Sequence, residues 1–459
     1  MKSVSLNDVA RVLGGELVGG HGDAVVGGAA VDSRSVRTGQ LFFALRGQRD
    51  GTDFAPEAHL RGAAAIVADR PLDVPTVVVE DPAQSLRELA RWSLSYHEDS
   101  SPTVVGITGS VGKTTTKDAL ATILRTSGSK VCATEGNFNN EIGLPLTVLS
   151  ASDNTEVLVL EMGATHPGDV EALCNIAPPQ VGILTAIAPV HLDSFGSLEG
   201  LARTKGELAR ALPDDGCFVA PEGVPKAAIA EDRAFSRRIT FAKELGRDVQ
   251  LWVTEVEQRE EGLRFVVHTG SASAEAQVPI YGTHLVEPLL AAFGGALCLG
   301  VELEDCIRGI SRIKRTGLRG DVYRLRDDII VYDDSYNASP KAMEAVLRYG
   351  AEQAKRQGQC FVAVLGSMFE LGSGARAYHR EIGEIAQEVG VELLVGVGEE
   401  ARWYAETFTG DTRLYEDAES AAEGLREALH GGEYLVVKGS RGVSLDVLTS
   451  RLRERLALV

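Results

Sequence analysis

Between Thr103 and Ile187 the chain alternates continuous apolar runs with stretches of helical period: "TVVGIT" (103–108), "EVLVLEMG" (156–163) and "VGILTAI" (181–187) each have the length of one strand. Runs without a polar side mark strands covered on both faces, which predicts βαβ units around a doubly wound parallel sheet. Further on, "VQLWVTEVEQREEGLRFVVH" (249–268) alternates apolar with polar residues and turns at Glu-Glu-Gly, as an antiparallel hairpin at the edge of that domain would. Before the alternation begins, residues 1–100 hold shorter runs, "QLFFAL", "AAAIVAD" and "TVVVED", closed by the amphipathic "SLRELARWSLSYH". The polar stretch from Glu98 to Thr103 contains Pro102 and reads as a linker. Around Lys314 to Gly320 the pattern resets, and "IIVYDD", "CFVAVLG", "ELLVGVG" and "EYLVVKG" again alternate with helical segments. The prediction is three α/β domains: a small one over 1–100, a central doubly wound one over 101–315, and a Rossmann-like one over 316–459.

Composition narrows the class. The 459 residues carry a net charge of -19, which repels phosphate backbones and anionic lipid surfaces, so neither nucleic acid nor membrane is expected as a partner. No apolar run approaches the roughly 20 residues that span a bilayer, and "MKSVSLNDVARVLGG" lacks the apolar core of a signal peptide. A cytoplasmic monomer is the expectation. The six cysteines, at 132, 174, 217, 298, 306 and 360, form no C-x-x-C pair and read as buried free thiols.

Candidate chemistry is concentrated at "GITGSVGKTTTKDALATIL" (106–124). A strand leads into a glycine turn and then a helix that gathers Ala119, Leu120, Ile123 and Leu124 on one face and ends at Ser127-Gly128. Backbone N–H groups of Gly109, Ser110, Val111, Gly112, Lys113, Thr114 and Thr115 would face phosphate oxygens at the positive helix end, Lys113 would neutralise the β and γ phosphates, and Thr114 would offer its hydroxyl to Mg²⁺. The strict G-x-x-x-x-G-K-T pattern is not met, because Ile107 stands where its first glycine belongs; Gly109 is expected to make the turn. Glu161, ending the next strand, lies at the sheet edge where doubly wound folds hold ligands, and with Thr114 supplies oxygen donors for a first Mg²⁺.

Read outward from that loop, "EGNFNNEIGLPLTVL" (135–149), "VLEMGATHPGDVEAL" (159–173), "APVHLDSFGSLEGLARTKGEL" (188–208), "YDDSYNASPKAMEAV" (332–346), "VLGSMFELG" and "VKGSRGVSLD" closely resemble the motifs of the Mur ligases, from "DSRSVRTGQLFFALRGQRDG" at residue 32 to the C-terminal helix. The resemblance implies ATP-dependent amide-bond formation through an acyl phosphate. Within the family the motifs look most like the branch that joins D-alanyl-D-alanine to a UDP-N-acetylmuramoyl tripeptide, with ATP and two Mg²⁺ ions. It implies that His191 and Lys205 help hold the second ion, Lys205 as a carbamate, although alone His191 reads as a packed or exposed histidine and Lys205 as a surface helix lysine. Lys113, His191 and Lys205 are then the expected catalytic residues. Asn139 and Asn140 would bind the muramoyl or peptide part, or serve as a turn before Gly143.

By the same resemblance Ser33 and Arg34 contact the uridine diphosphate sugar, Arg319 and Asp334 close over ATP, and Asn337, Lys438 and Arg441 meet substrate. Two departures stand out: "GTHLVEP" has Leu285 and Pro288 where the family shows asparagines that contact adenine, and "GSMFELG" has Ser367 in place of aspartate. Two other functions stay open. A sister ligase adding the third amino acid would carry D-N-P-R, which this sequence lacks, and a silent nucleotide-binding relative would have no use for Lys113, Thr114, Glu161, His191 and Lys205 together.

Overall fold

In the computed structural model the described residues are 1–95, 101–189, 192–229, 235–259, 261–313 and 318–456. The predicted linker and the reset at Lys314 lie largely outside them. The N-terminal sheet has five strands, β1 (Glu16–Val18), β2 (Ala29–Ala30), β3 (Leu41–Phe43), β4 (Ala65–Ala68) and β5 (Thr76–Val78), in the order β1-β5-β4-β3-β2. Helix α1 (Pro82–Ser95) follows.

Parallel neighbours require a crossover, and the central sheet is wound that way through β6 (Thr103–Thr108), α2 (Lys113–Thr126), β7 (Val131–Ala133), α3 (Gly143–Ser150), β8 (Val157–Glu161), α4 (Asp169–Ile176) and β9 (Val181–Leu184). Helix α5 (Leu198–Lys205) leads on to β10 (Cys217–Pro221) and β11 (Arg237–Phe241). The antiparallel β12 (Leu251–Arg259), β13 (Gly262–Thr269) and β14 (Ser273–Val278) complete nine strands in the order β14-β13-β12-β11-β10-β9-β6-β8-β7, before α6 (Val286–Cys298) and α7 (Leu303–Ile310). Every residue of β8 and β9 is buried, as strands without a polar face must be. The expected hairpin is present as β12 and β13, but the edge belongs to β14, whose "SAEAQV" has one β-branched residue and too little apolar contrast to announce a strand.

Ala119, Leu120, Ile123 and Leu124 of α2 are buried in one cluster with Leu289, Phe293 and Ala296 of α6 and Cys306 and Ile310 of α7. On the opposite side, Leu86, Leu89 and Ala90 of α1 share a cluster with Leu144, Val148 and Leu149 of α3, so the first two domains bury one core between them. The cysteine expectation needs correction. Cys217 and Cys298 are bonded, with Cα atoms 6.1 Å apart. Helix α6 lies along β10, where Gly294 lets Val219 approach, and this joins the start of the strand to the end of the helix across a sequence separation of 81. Cys132, Cys174, Cys306 and Cys360 are free thiols, of which Cys174 and Cys306 are buried.

The C-terminal sheet runs β15-β16-β20-β17-β18-β19, from β15 (Asp321–Arg324), β16 (Ile330–Asp333), β17 (Cys360–Gly366), β18 (Leu393–Val397), β19 (Asp411–Tyr415) and β20 (Glu433–Lys438). Only the β15–β16 pair is antiparallel. Helices Pro340–Gln357 and Ala375–Glu388 cover one face and Ala418–Ala428 and Leu445–Leu456 the other. No helix among the described residues is long and apolar enough to cross a membrane.

Gly309 is where α7 rests on α2: a Cβ there would stand 2.5 Å from the Ile123 Cα, a backbone atom that cannot turn away. Gly309→Val is expected to lose about 2 kcal/mol through overpacking, since the two residues differ in helix propensity by only ~0.5 kcal/mol. A urea midpoint at the wild-type value would show that the helices separate freely.

Candidate active site

The turn from β6 to α2 is shaped by two glycines, Gly109 at φ +147 and Gly112 at φ +85. A Cβ on Gly109 would meet Thr185 Oγ1 at 2.1 Å, and one on Gly112 would meet Pro288 Cγ at 2.9 Å. Ile107, fully buried within β6, is still part of the strand, which is why Gly109 opens the turn. Side chains pin the loop from outside. Thr185 Oγ1 donates to the Val111 carbonyl at 2.6 Å, while Ser110 Oγ donates to Ala188 O at 2.8 Å and accepts from Ala188 N at 3.0 Å.

Helix α2 starts at Lys113 with no side-chain cap on its first-turn N–H groups, which include those of Thr114 and Thr115, so that end can receive an anion. Lys113 Nζ folds back on the Gly109 carbonyl at 2.7 Å. Burial pulls its pKa below the usual lysine value, the positive charge of Arg319 adds to that, and the Glu161 carboxylate opposes it. Arg319 belongs to the C-terminal domain, and its guanidinium stacks on Tyr336 at 3.8 Å.

Thr114 Oγ1 donates to Glu161 Oε2 at 2.8 Å, and Asn139 Nδ2 donates to Glu161 Oε1 at 2.9 Å. A hydroxyl and a carboxylate side by side at a phosphate loop are hard oxygen donors, a set that fits Mg²⁺. Lys205, nearly inaccessible at the end of α5, has its pKa lowered to about 7, first by burial and then by the charge of Lys113, against Asp169 and Glu207. Much of this amine is therefore neutral near pH 7, the form that can capture CO₂. His191 lies outside the described residues.

Across the cleft, Lys438 at the end of β20 is buried, pairs with Asp334, and donates to the Asn337 carbonyl at 2.9 Å. His284 of the central domain lies within the electrostatic reach of both Asp334 and Lys438. Burial pushes its pKa down to about 4, and its Nδ1 is buried without a hydrogen-bond partner. Sequence reading passed over His284 although it sits inside "GTHLVEP". At one of the departing positions there, the backbone carbonyl of Pro288 accepts from Thr116 Oγ1 at 3.0 Å, a contact that does not depend on the side chain. Ser367 is buried, and its Oγ accepts the Glu400 N–H at 3.1 Å, a fold tie between strand ends.

Other expected substrate residues are engaged locally. Asn140 Oδ1 accepts from Ile142 N at 3.2 Å and Gly143 N at 2.9 Å, which is the turn reading of that residue. Asn337 Oδ1 accepts from Ala338 N at 2.9 Å, and Arg441 pairs with Asp446 at 2.9 Å. In the N-terminal domain Ser33 Oγ donates to Glu57 Oε2 at 2.6 Å, and the exposed Arg34 pairs with Asp32 at 2.7 Å. The structure thus draws Lys113, Thr114, Asn139, Glu161 and Lys205 together, faces Arg319 toward them, and sets Asp334, Asn337 and Lys438 in a second group beside His284.

Three family descriptions match successive parts of the chain: the Mur ligase family catalytic domain over residues 26–92, the Mur ligase middle domain over 107–296, and the Mur ligase glutamate ligase domain over 318–441. The chain belongs to the Mur ligase family. It is 32% identical to the UDP-N-acetylmuramoyl-tripeptide--D-alanyl-D-alanine ligase of Bacillus subtilis strain 168, covering 98% of each chain. A MurF crystal structure from Acinetobacter baumannii superposes with a TM-score of 0.86 at 26% identity, covering 99% of this chain and 100% of that one. A MurF ligase from Thermotoga maritima in complex with ADP gives 0.79 at 30% identity, covering 93% of this chain and 98% of that one.

Lys438→Met would leave the largely buried Asp334 carboxylate without its cation. The expected loss is about 3 kcal/mol in urea unfolding, most of it recovered when Asp334→Asn is added. A single variant as stable as the wild type would mean that the pair holds nothing.

Proposed function

We propose that the chain is an ATP-dependent ligase that joins D-alanyl-D-alanine to UDP-N-acetylmuramoyl tripeptide. The observation that carries this reading is similarity along the whole chain to a ligase of that name, 32% over 98% of both sequences, with a phosphate loop and an adjoining Thr114–Glu161 oxygen pair at its centre. In the reaction a carboxylate oxygen of the tripeptide attacks the γ-phosphorus of ATP, the bond to the β-phosphate oxygen breaks, and ADP leaves. The dipeptide amine then attacks the acyl carbon, phosphate departs, and the amine loses a proton to give the amide. Two anions must meet in the first half, so the site needs concentrated positive charge. Lys113 and Arg319 would supply it with Mg²⁺, and Asp334 would help close the C-terminal domain over ATP.

Thr114 and Glu161 would hold one ion. Among the described residues no three His, Cys, Asp or Glu side chains gather as a metal site, and Lys205 as a carbamate would add the missing anionic oxygens for a second ion, with His191. Its lowered pKa supports that chemistry. Ser33 and Arg34 would engage the uridine diphosphate, Asn139 and Asn140 the muramoyl peptide, and Asn337, Lys438 and Arg441 the incoming amine side. The reading places a monomer in the cytoplasm, where ATP and nucleotide-linked sugars are held; the Cys217–Cys298 bond runs against that compartment, whose thiol pool keeps most cysteines reduced.

Phosphate release by the purified protein should require UDP-N-acetylmuramoyl tripeptide and D-alanyl-D-alanine together. Release driven equally by a UDP-N-acetylmuramoyl dipeptide and a free diamino acid would reassign the chain to the sister reaction. Lys205→Ala should lose at least 100-fold in rate, partly restored by a short carboxylic acid, a magnitude in keeping with loss of a metal-binding group; unchanged turnover would remove this lysine from the site.

A further inference from the structure

Lys117 stands one turn beyond Lys113 on α2 and is buried, its side chain 5% exposed. An ammonium group is expensive to bury, and an apolar side chain would fill the same space more cheaply. Its Nζ donates to the Thr134 carbonyl at 2.8 Å, with Asp118 Oδ1 also at 2.8 Å. Thr134 is the residue just past β7, and its three polar groups are all in use: its N–H donates to Val159 O at 3.0 Å, its carbonyl takes the Lys117 ammonium, and its Oγ1 accepts the Glu161 N–H at 3.0 Å.

The position explains the arrangement. Strand β7 is the edge of the central sheet and pairs with β8 only as far as Ala133 and Val159, so the ladder runs out before Glu161. Thr134 Oγ1 takes the place of the missing ladder acceptor, and Lys117 fixes Thr134 there. The same anchored segment leads through residues 135–138 to Asn139, which donates to Glu161 Oε1. Both the backbone and the side chain of Glu161 therefore rest on a loop whose root Lys117 holds.

We infer that Lys117 is a positioning residue for the divalent cation: acting through Thr134, it sets the carboxylate of Glu161 against Thr114. The inference rests on the reading of the Thr114–Glu161 pair as a cation site. The test is direct binding of Mn²⁺ with a nonhydrolysable ATP analogue, followed by electron paramagnetic resonance, on the wild type, Lys117→Met, Thr134→Val and the double variant. Loss of an outer partner of a metal ligand lowers metal affinity by about 10–100-fold. Each single variant should weaken Mn²⁺ about tenfold or more, and the double variant should be no weaker than the worse single, because both act on one chain of contacts. Ile66→Ala, which opens a cavity in a separate cluster of the N-terminal domain, should bind Mn²⁺ as the wild type does, which separates positioning from general loss of stability. Wild-type affinity in Lys117→Met or Thr134→Val, or strictly additive effects in the double variant, would overturn the inference; if Lys117→Met fails to fold, Lys117→Gln, which removes the ammonium and shortens the side chain, decides in its place. A wild type that takes up no Mn²⁺ would remove the cation site itself, a different failure that the control reveals before any variant is read.

Discussion

Glu161 is a carboxylate at the end of a strand with no exposed residue, where an uncompensated charge would cost several kcal/mol. It is tolerated because both carboxylate oxygens and the N–H have partners supplied by different pieces of chain: Thr114 from the first turn of α2, Asn139 from the loop after β7, Thr134 for the N–H. These contacts fix the relative placement of β7, β8 and α2 at the rim of the sheet. The phosphate loop lies on the other side of Thr114, pinned by Thr185 and Ser110, so a nucleotide end and an oxygen donor set are held in one rigid frame. Positive charge is brought to the same rim by Lys113 and Arg319, while burial and the charge of Lys113 lower the pKa of Lys205.

The carboxyl edge of the central sheet opens toward the carboxyl edge of the C-terminal one. Arg319 is felt at Lys113, Asp334 and Lys438 are felt at His284, and Gly372 comes so near Asp193 that a Cβ would stand 2.3 Å from its Oδ1. Two sheets that present their strand ends to each other make a cleft whose width is set by how the domains close. For acyl-phosphate chemistry that closure matters, since water admitted to the cleft would hydrolyse the activated acid. The N-terminal domain is tied differently, through a shared apolar core of α1 and α3.

The central strands, helix α2 and the turn at Gly109 were legible because their apolar runs are long and their glycines sit where no side chain fits. Glu161 and Thr114 were legible for the same reason: strand end and helix start can be counted from the pattern. What escaped was tertiary. Strand β14 carries too little apolar contrast, the Cys217–Cys298 bond depends on a helix lying back along a strand, and nothing in the helical pattern sets Lys117 apart. Its significance lies in Thr134, distant in sequence, and no spacing rule brings the two together. Asn139 and Asn140, adjacent in sequence, part company in the structure, one reaching Glu161 and the other closing a turn.

The account depends most on a nucleotide phosphate and a divalent cation meeting at the start of α2. A crystal structure with a nonhydrolysable ATP analogue and Mn²⁺, read by the anomalous signal of the metal, tests it directly. The expected map places Mn²⁺ between Thr114 and Glu161 with the terminal phosphates on the N–H groups of residues 109–115. Phosphates bound elsewhere, or a metal peak away from both side chains, would contradict it.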